Sequence, residues 1–160
     1  MSELFEITRL IHADAAAVFA LLTSPDGHVA IDSSGMLQSA EGAPVGAVGD
    51  EFVVHMDRES LNDLPMGKYD VRVIITGFEQ DRWIEWTIIG TVKPPLDHRY
   101  GYRLEPTDDG TLVTSYYDWS RVTDADIKGR FPIIPEAGLR ATLGILARTV
   151  EQHRERGIQS

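Results

Sequence analysis

The chain has 160 residues, of which 42% are hydrophobic and 25% charged, and its formal net charge at pH 7 is −10. A chain of this length buries roughly 70% of its unfolded surface on folding, so we expect one domain over residues 1–160 with a full hydrophobic core. The acidic balance argues against nucleic acid or an anionic membrane surface as partner, because both attract clustered Lys and Arg.

Cysteine is absent, which excludes disulfides, a thiolate nucleophile and a cysteine-ligated metal. Residues 1–6 have neither the basic start nor the apolar run of a signal peptide. No stretch of about 18 apolar residues is free of charge, so stable membrane insertion is not expected. We therefore expect a soluble, cytoplasmic protein.

The N-terminal part of the chain predicts one strand and two helices. Leu4 to Ile11 alternates loosely between apolar and polar residues, as a strand does. Asp14 is placed to cap a helix of good helix formers over residues 15–22. The pair Ser24-Pro25 predicts a second, short helix, with serine as the cap and proline at the first helical position.

From residue 36 to about residue 122, short segments rich in β-branched and aromatic residues alternate with turn signals. Asp109-Gly110 is a strong hairpin signal. Short turns between successive strands predict an antiparallel meander and not βαβ units. The predicted strands cover residues 36–38, 51–56, 68–78, 82–92, 99–105 and 112–121.

A long helix is predicted from residue 135 to about residue 156. Leu139, Leu143, Leu146 and Val150 form one apolar stripe along it. The predicted fold class is α+β, with a curved antiparallel sheet of about six to seven strands wrapped around this helix and two short helices after the first strand. Because one helix cannot fill the concave side of a twisted sheet, we also expect a void between them.

Three segments carry a resemblance to a known superfamily. They read DAAAVFALLTSP at 14–25, YRLEPTDDGT at 102–111 and FPIIPE at 131–136, the last continuing through Leu139, Leu143 and Ala147. The chain resembles the START-like or Bet v 1-like (SRPBCC) superfamily, which has the helix-grip fold, and within it the bacterial polyketide cyclase/dehydrase-like group. The resemblance implies a deep cavity for lipids, polyketides, hormones or other apolar molecules, which some members convert and others only bind.

Alternation along two strands predicts a wall of aromatic side chains with polar tips. If Leu104 faces the core, three such side chains face it too: His98, Tyr100 and Tyr102. If Val113 faces the core, the next strand adds Ser115, Tyr117 and Trp119. Arg99 and Arg103 are then expected to face water. Buried polar tips need partners, so this composition favours a pocket over a filled core.

The function predicted is binding of a small hydrophobic ligand, such as a lipid, a polyketide or an aromatic molecule, between the sheet and the C-terminal helix. The expected cavity lining comprises Phe52, Val54, Val73, Ile75, Trp86, His98, Tyr100, Tyr102, Ser115, Tyr117, Leu139 and Leu143. No cofactor is expected. A metal site is not expected either, because no histidine has ligand spacing and the nearest candidate pair is His28 with Asp32.

Two alternatives stay open. A cyclase or dehydratase needs a general acid or base, for which His98 or His55 is available, with Tyr100 or Tyr117 as acid or orienting donor. Glu85 and Asp118 become candidates if their strands show the opposite face to the core. The second alternative is a protein-interaction or chaperone-cofactor module, with a homodimer as one form of assembly.

Overall fold

The computed structural model of the protein describes residues 3–59, 67–90, 97–132 and 134–155. Its strands are β1 (Leu4–Ile11), β2 (Leu37–Glu41), β3 (Glu51–Asp57), β4 (Lys68–Glu79), β5 (Trp83–Ile89), β6 (Arg99–Thr107) and β7 (Gly110–Asp118). Its helices are α1 (Ala15–Thr23), α2 (Pro25–Ile31), α3 (Ala125–Lys128) and α4 (Glu136–Glu155).

The seven strands form one antiparallel sheet in the order β1-β7-β6-β5-β4-β3-β2. Strands β2 to β7 therefore run as a meander, and β1 returns to pair with the last strand. The predicted α+β architecture is confirmed, including the two short helices after β1 and the long C-terminal helix. None of the helices in the described parts of the chain combines the length and apolar character needed to cross a membrane.

Helix starts follow the sequence signals in one case and depart from them in another. Ser24 caps α2 as predicted, since its hydroxyl accepts a hydrogen bond from the N–H of Gly27 and Pro25 follows it. The predicted side-chain cap of α1 is wrong, because the carboxylate of Asp14 accepts no cap hydrogen bond and only its backbone carbonyl bonds Val18.

The end of the sheet also differs from the prediction. Strand β7 ends at Asp118 and not at residue 121, because the Asp118 carboxylate accepts hydrogen bonds from both the N–H and the hydroxyl of Ser120 and turns the chain. The short helix α3 follows, capped by Asp124. No sequence signal was assigned to it. For β5, the predicted residues 91 and 92 lie outside the described residues.

The core lies between the inner, concave face of the sheet and the helices. Leu139, Leu143, Leu146 and Val150 are buried, so the apolar stripe of α4 is confirmed. Helix α4 packs against β1 and β7 near one edge of the sheet, and α2 packs against β2 and β3 near the opposite edge. The polar-tipped aromatic residues occur on the inner faces of β5, β6 and β7.

Candidate functional site

A row of aromatic rings crosses the inner face of β5, β6 and β7. The antiparallel register places Trp86 opposite Tyr100, and Tyr100 opposite Tyr117. The ring of Trp86 stacks on Tyr100 at 6.0 Å and on Tyr102 at 5.9 Å, and Tyr100 stacks on Tyr117 at 4.5 Å. Tyr102, Tyr117 and His98 are buried, so these side chains face the core as the alternation predicted.

The polar tips of this row hydrogen-bond one another. Nδ1 of His98 lies 2.6 Å from the hydroxyl oxygen of Tyr117, which also hydrogen-bonds the hydroxyl of Tyr100. The Tyr117 hydroxyl has one proton, so it donates to one neighbour and accepts from the other. Thr87 donates to the His98 carbonyl at 2.7 Å, and the ring of Phe131 packs edge-on against His98 at 5.6 Å. The three tips thus form a chain that can run in either direction.

Burial keeps this chain uncharged at neutral pH. Desolvation lowers the pKa of His98 to about 4, although the charge of Asp97 acts in the opposite direction. Desolvation raises the pKa of Tyr102 to about 12, against the hydrogen bond from Ser115, and it also raises the pKa of Tyr100. The row therefore presents a neutral imidazole and neutral phenols.

His28 extends the row from α2, although it is not among the predicted lining residues. Its ring packs edge-on against Trp86 at 4.7 Å and against Phe52 at 5.0 Å. Nε2 lies 2.7 Å from the carbonyl oxygen of Leu22, and desolvation lowers the pKa of His28 to about 4. The spacing of His28 to the buried Ile31, three residues on in the same helix, is the signal that would have placed it on the inner face.

His28 and Asp32, the nearest candidate pair for a metal in the sequence, do not pair in the structure. Asp32 is the C-cap of α2 in an extended conformation, and its carboxylate accepts hydrogen bonds from the N–H and hydroxyl of Ser34. The ring of His28 instead turns into the core. Among the described residues, no group of three or more histidines and carboxylates is arranged to hold a metal ion.

The other predicted lining residues lie in the same buried cluster. The sheet register pairs Phe52 with Val73 and Ile75 with Trp86 on neighbouring strands. All but Tyr100, which is partly buried, are shielded from solvent. The buried members are Phe52, Val54, Val73, Ile75, Trp86, His98, Tyr102, Ser115, Tyr117, Leu139 and Leu143.

Two alternative acid–base candidates lie elsewhere. His55 is on the outer face of the sheet, where its two ring nitrogens lie 2.7 Å from Asp70 and 2.5 Å from Glu41. The hydrogen bond to Asp70 and, to a smaller degree, the hydrogen bond to Glu41 raise the pKa of His55. His55 therefore cannot serve a site on the inner face. Glu85 also points outward, so the inward orientation considered for it is wrong.

Glu85 is nevertheless buried, because side chains of the outer face cover it. Its Oε2 accepts a 2.6 Å hydrogen bond from Tyr116, and its Oε1 accepts bonds from Thr76 at 2.9 Å and Arg99 at 3.1 Å. The prediction that Arg99 faces water is therefore wrong: its side chain is 20% exposed and is shared between Glu85 and Asp97. Arg103 does lie at the surface, above the Tyr116 ring and paired with Glu6.

Two glycines make this outer cluster possible. A Cβ on Gly101 would lie 2.2 Å from the Tyr116 ring, and one on Gly77 would lie 2.3 Å from the Trp83 ring. The rings thus cross directly over the backbone of β6 and β4. An open depression of about 580 Å³ adjoins them, lined by Leu4, Glu79, Arg82, Trp83, Glu85, Arg103, Leu104, Tyr116 and Asp118.

Comparison with known proteins identifies the fold. A protein from Chromobacterium violaceum has a TM-score of 0.68 at 16% identity, over 94% of this chain and 99% of the other. The Zhui aromatase/cyclase from Streptomyces sp. R1128 has a TM-score of 0.67 at 15% identity, over 94% of each chain. The Aha1 dimer from Colwellia psychrerythraea has a TM-score of 0.60 at 17% identity, over 94% of this chain and 97% of the other.

No family model matches the sequence, and no curated protein sequence is significantly similar to it. The structural likeness spans nearly the whole chain, so the protein shares the overall fold of these proteins, which is the helix-grip fold that the resemblance predicted. Identities of 14–17% relate these proteins by fold alone. The functional conclusion therefore depends on the residues of the site.

Proposed function

We propose that the protein binds a small, apolar, ring-containing molecule between the inner face of the sheet and α4. The observation that carries the proposal is the row of stacked rings formed by Trp86, Tyr100 and Tyr117, which ends in the hydrogen-bonded tip of His98. A core selected only for stability favours Leu, Ile and Val, because buried hydroxyls and imidazoles lose hydrogen bonds to water. Apolar walls with a few convergent polar groups are the usual composition of a small-molecule site.

The geometry suits a flat ligand. Aromatic pairs are most strongly stabilised in offset-stacked or edge-on arrangements. The planes of the Trp86 and Tyr100 rings are nearly parallel, at an angle of 13°. A ring inserted beside this pair gains the same contacts. The aromatase/cyclase among the structural neighbours supports the proposal by analogy of fold.

Binding is tested with the neutral fluorophore N-phenyl-1-naphthylamine. We expect saturable binding to the wild-type protein and, in Trp86→Leu, an affinity lower by at least about tenfold, because the stacking surface of the site is lost. Fluorescence titration measures both affinities. Trp83→Leu is the matched control, since Trp83 lies on the same strand but on the outer face, and its affinity should equal that of the wild type.

Native mass spectrometry of freshly purified protein is the second measurement, because it gives the mass of any molecule that co-purifies. A wild-type protein that is folded by circular dichroism yet shows no saturable fluorophore binding and no co-purifying mass contradicts the proposal. If fluorophore binding is weakened equally in Trp83→Leu and Trp86→Leu, the loss reflects reduced stability of the protein and not the loss of a stacking surface on the inner face.

A second candidate function is acid–base chemistry on the bound molecule, of the cyclase or dehydratase class. The observation in its favour is the 2.6 Å contact between Nδ1 of His98 and the Tyr117 hydroxyl, with Tyr100 next in the chain. A neutral imidazole can accept a proton, and a tyrosine hydrogen-bonded to it can orient or donate one. The hydroxyl chain then supplies a route along which protons shift between the three side chains.

Turnover separates this candidate from simple binding. With the co-purified molecule as substrate and mass spectrometry as the readout, Tyr117→Phe should reduce conversion by about 100-fold or more while its affinity stays within about threefold of the wild type. Because the pKa of His98 is lowered to about 4, the rate should remain flat from pH 8 down to about pH 5. Full conversion by Tyr117→Phe, or no conversion by the wild type, removes the catalytic candidate.

An interaction module and a homodimer stay predictions. Leu4, Leu10 and Val48 are the exposed large apolar side chains of the described residues, and only Leu4 and Leu10 share an element, the edge strand β1. One structural neighbour is a dimer. Light scattering after gel filtration gives the mass in solution of this chain.

A further inference from the structure

The two ring nitrogens of His28 have different surroundings. Nε2 lies 2.7 Å from the carbonyl oxygen of Leu22, and a carbonyl oxygen only accepts hydrogen bonds. Nε2 therefore holds the proton of the neutral ring, and Nδ1 is left as an acceptor. The His28 side chain is held in this orientation by α2 and by the rings of Phe52 and Trp86 on either side.

Nδ1 of His28 has no hydrogen-bond partner within the described parts of the chain, although the residue is only 8% exposed. Nδ1 is thus an acceptor without a protein partner on a side chain that is more than nine-tenths buried. A buried acceptor of this kind is a position for a hydrogen-bond donor.

The aromatic row of the inner face holds no positive charge. Arg9 also faces inward, but it lies on the edge strand β1, where its exposed guanidinium is beside Gly144 of α4. The buried polar or charged residues of the described chain are His28, Glu85, His98, Thr111 and Ser115, with no lysine or arginine among them. Glu85, the one carboxylate of this set, faces outward with Arg99, and Arg103 is also on the outer face. The titratable groups in or beside the inner row are His28, Tyr69, His98, Tyr100, Tyr102 and Tyr117.

We infer that the ligand is an uncharged aromatic molecule with a hydroxyl or N–H group, and that Nδ1 of His28 accepts a hydrogen bond from that group. The inference rests on the proposed function and names the chemistry of its ligand. An anionic ligand would bury its carboxylate without a cationic partner, at a large desolvation cost. A molecule lacking a donor would leave Nδ1 unsatisfied.

His98 differs from His28 in this respect. Its Nδ1 contacts the Tyr117 hydroxyl, which donates or accepts according to the direction of the chain to Tyr100. His98 can thus offer either a donor or an acceptor to a ligand at its other nitrogen, whereas His28 offers only an acceptor. The preference for a donor-bearing ligand is therefore set by His28.

Three naphthalenes of similar size test the inference at pH 7: 2-naphthol, which donates a hydrogen bond, 2-methoxynaphthalene, which does not, and 2-naphthoate, which is an anion. We expect 2-naphthol to bind about tenfold more tightly than 2-methoxynaphthalene, the worth of one net hydrogen bond, and 2-naphthoate to bind at least about 100-fold more weakly than 2-naphthol. Isothermal titration calorimetry measures all three affinities with the wild-type protein.

The matched variant is His28→Gln, whose amide nitrogen can still donate to the Leu22 carbonyl while no acceptor remains at the Nδ1 position. In this variant 2-naphthol should lose its tenfold advantage over 2-methoxynaphthalene, while the loss of ring contacts with Phe52 and Trp86 affects both compounds alike. An advantage that persists in folded His28→Gln overturns the role of His28.

The three affinities of the wild-type protein test the inference without any variant. Equal affinities for the three compounds, or tightest binding of 2-naphthoate, overturn the inference and leave the proposed function standing. Binding of none of the three, together with none of the neutral fluorophore, overturns the proposed function and the inference with it.

Discussion

Between pH 7 and pH 5 the free energy of unfolding is expected to fall by about 4 kcal/mol, half from His28 and half from His98. Both side chains have a folded pKa of about 4, against about 6.5 in the unfolded chain. As the pH falls through 6.5 the unfolded chain takes up protons that the folded protein excludes. The stabilisation is therefore complete above pH 6.5 and is lost progressively down to about pH 4.

Urea unfolding at several pH values measures this dependence, and His98→Gln should reduce the fall by about half. The raised pKa of His55 acts in the opposite direction, because the carboxylates of Asp70 and Glu41 stabilise the protonated ring in the folded state and so favour folding as the pH decreases. The same titration in His55→Asn removes that contribution and should steepen the fall. A free energy of unfolding that is constant from pH 7 to pH 5 in His55→Asn contradicts the buried, neutral state of both histidines.

Replacing Gly101 by alanine is expected to lower the free energy of unfolding by about 3 kcal/mol. The new Cβ would lie 2.2 Å from the Tyr116 ring, so the ring must move. Its hydroxyl would then lose the 2.6 Å bond to Glu85 and the 2.9 Å bond from Trp83. A buried carboxylate that loses a donor is costly, and this cost makes up most of the expected loss.

Gly46→Ala is the matched control. A Cβ at Gly46 meets nothing within 4 Å, so the free energy of unfolding should stay within about 0.5 kcal/mol of the wild type. Chemical denaturation of the two variants in parallel gives the comparison. Equal stability of Gly101→Ala and Gly46→Ala would show that the Tyr116 ring moves aside without cost and would contradict the outer network as described.

The sequence predicted the inner face better than the outer face. Period-two alternation placed Tyr102, His98 and Tyr117 correctly, because residues of one strand face share the same environment whatever their partners are. The alternation pattern does not indicate which side chains cover the outer face, which was expected to be exposed to water. The burial of Glu85 depends on Tyr116 from another strand and on the absence of a side chain at Gly101, and no pattern within a single strand contains that information.

Local signals had the same limit in the helices. Ser24 capped α2 because the whole cap, including Pro25, lies within four residues of sequence. From the sequence, the nearest candidate partner of His28 is Asp32, its neighbour one helical turn away. Its actual contacts, Phe52 and Trp86, come from strands far along the chain, and only the folded sheet brings them to it.

The outer cluster around Glu85 and the inner aromatic row are built on the same strands. Glu85, Gly101 and Tyr116 are each adjacent in sequence to a ring of the inner row, namely Trp86, Tyr100 with Tyr102, and Tyr117. Each peptide segment therefore sets the position of one residue on the outer face and one on the inner face at the same time. Amino-acid changes on the convex surface can thus shift the rings of the inner row, and under the proposed function they would alter ligand selectivity without contacting the ligand.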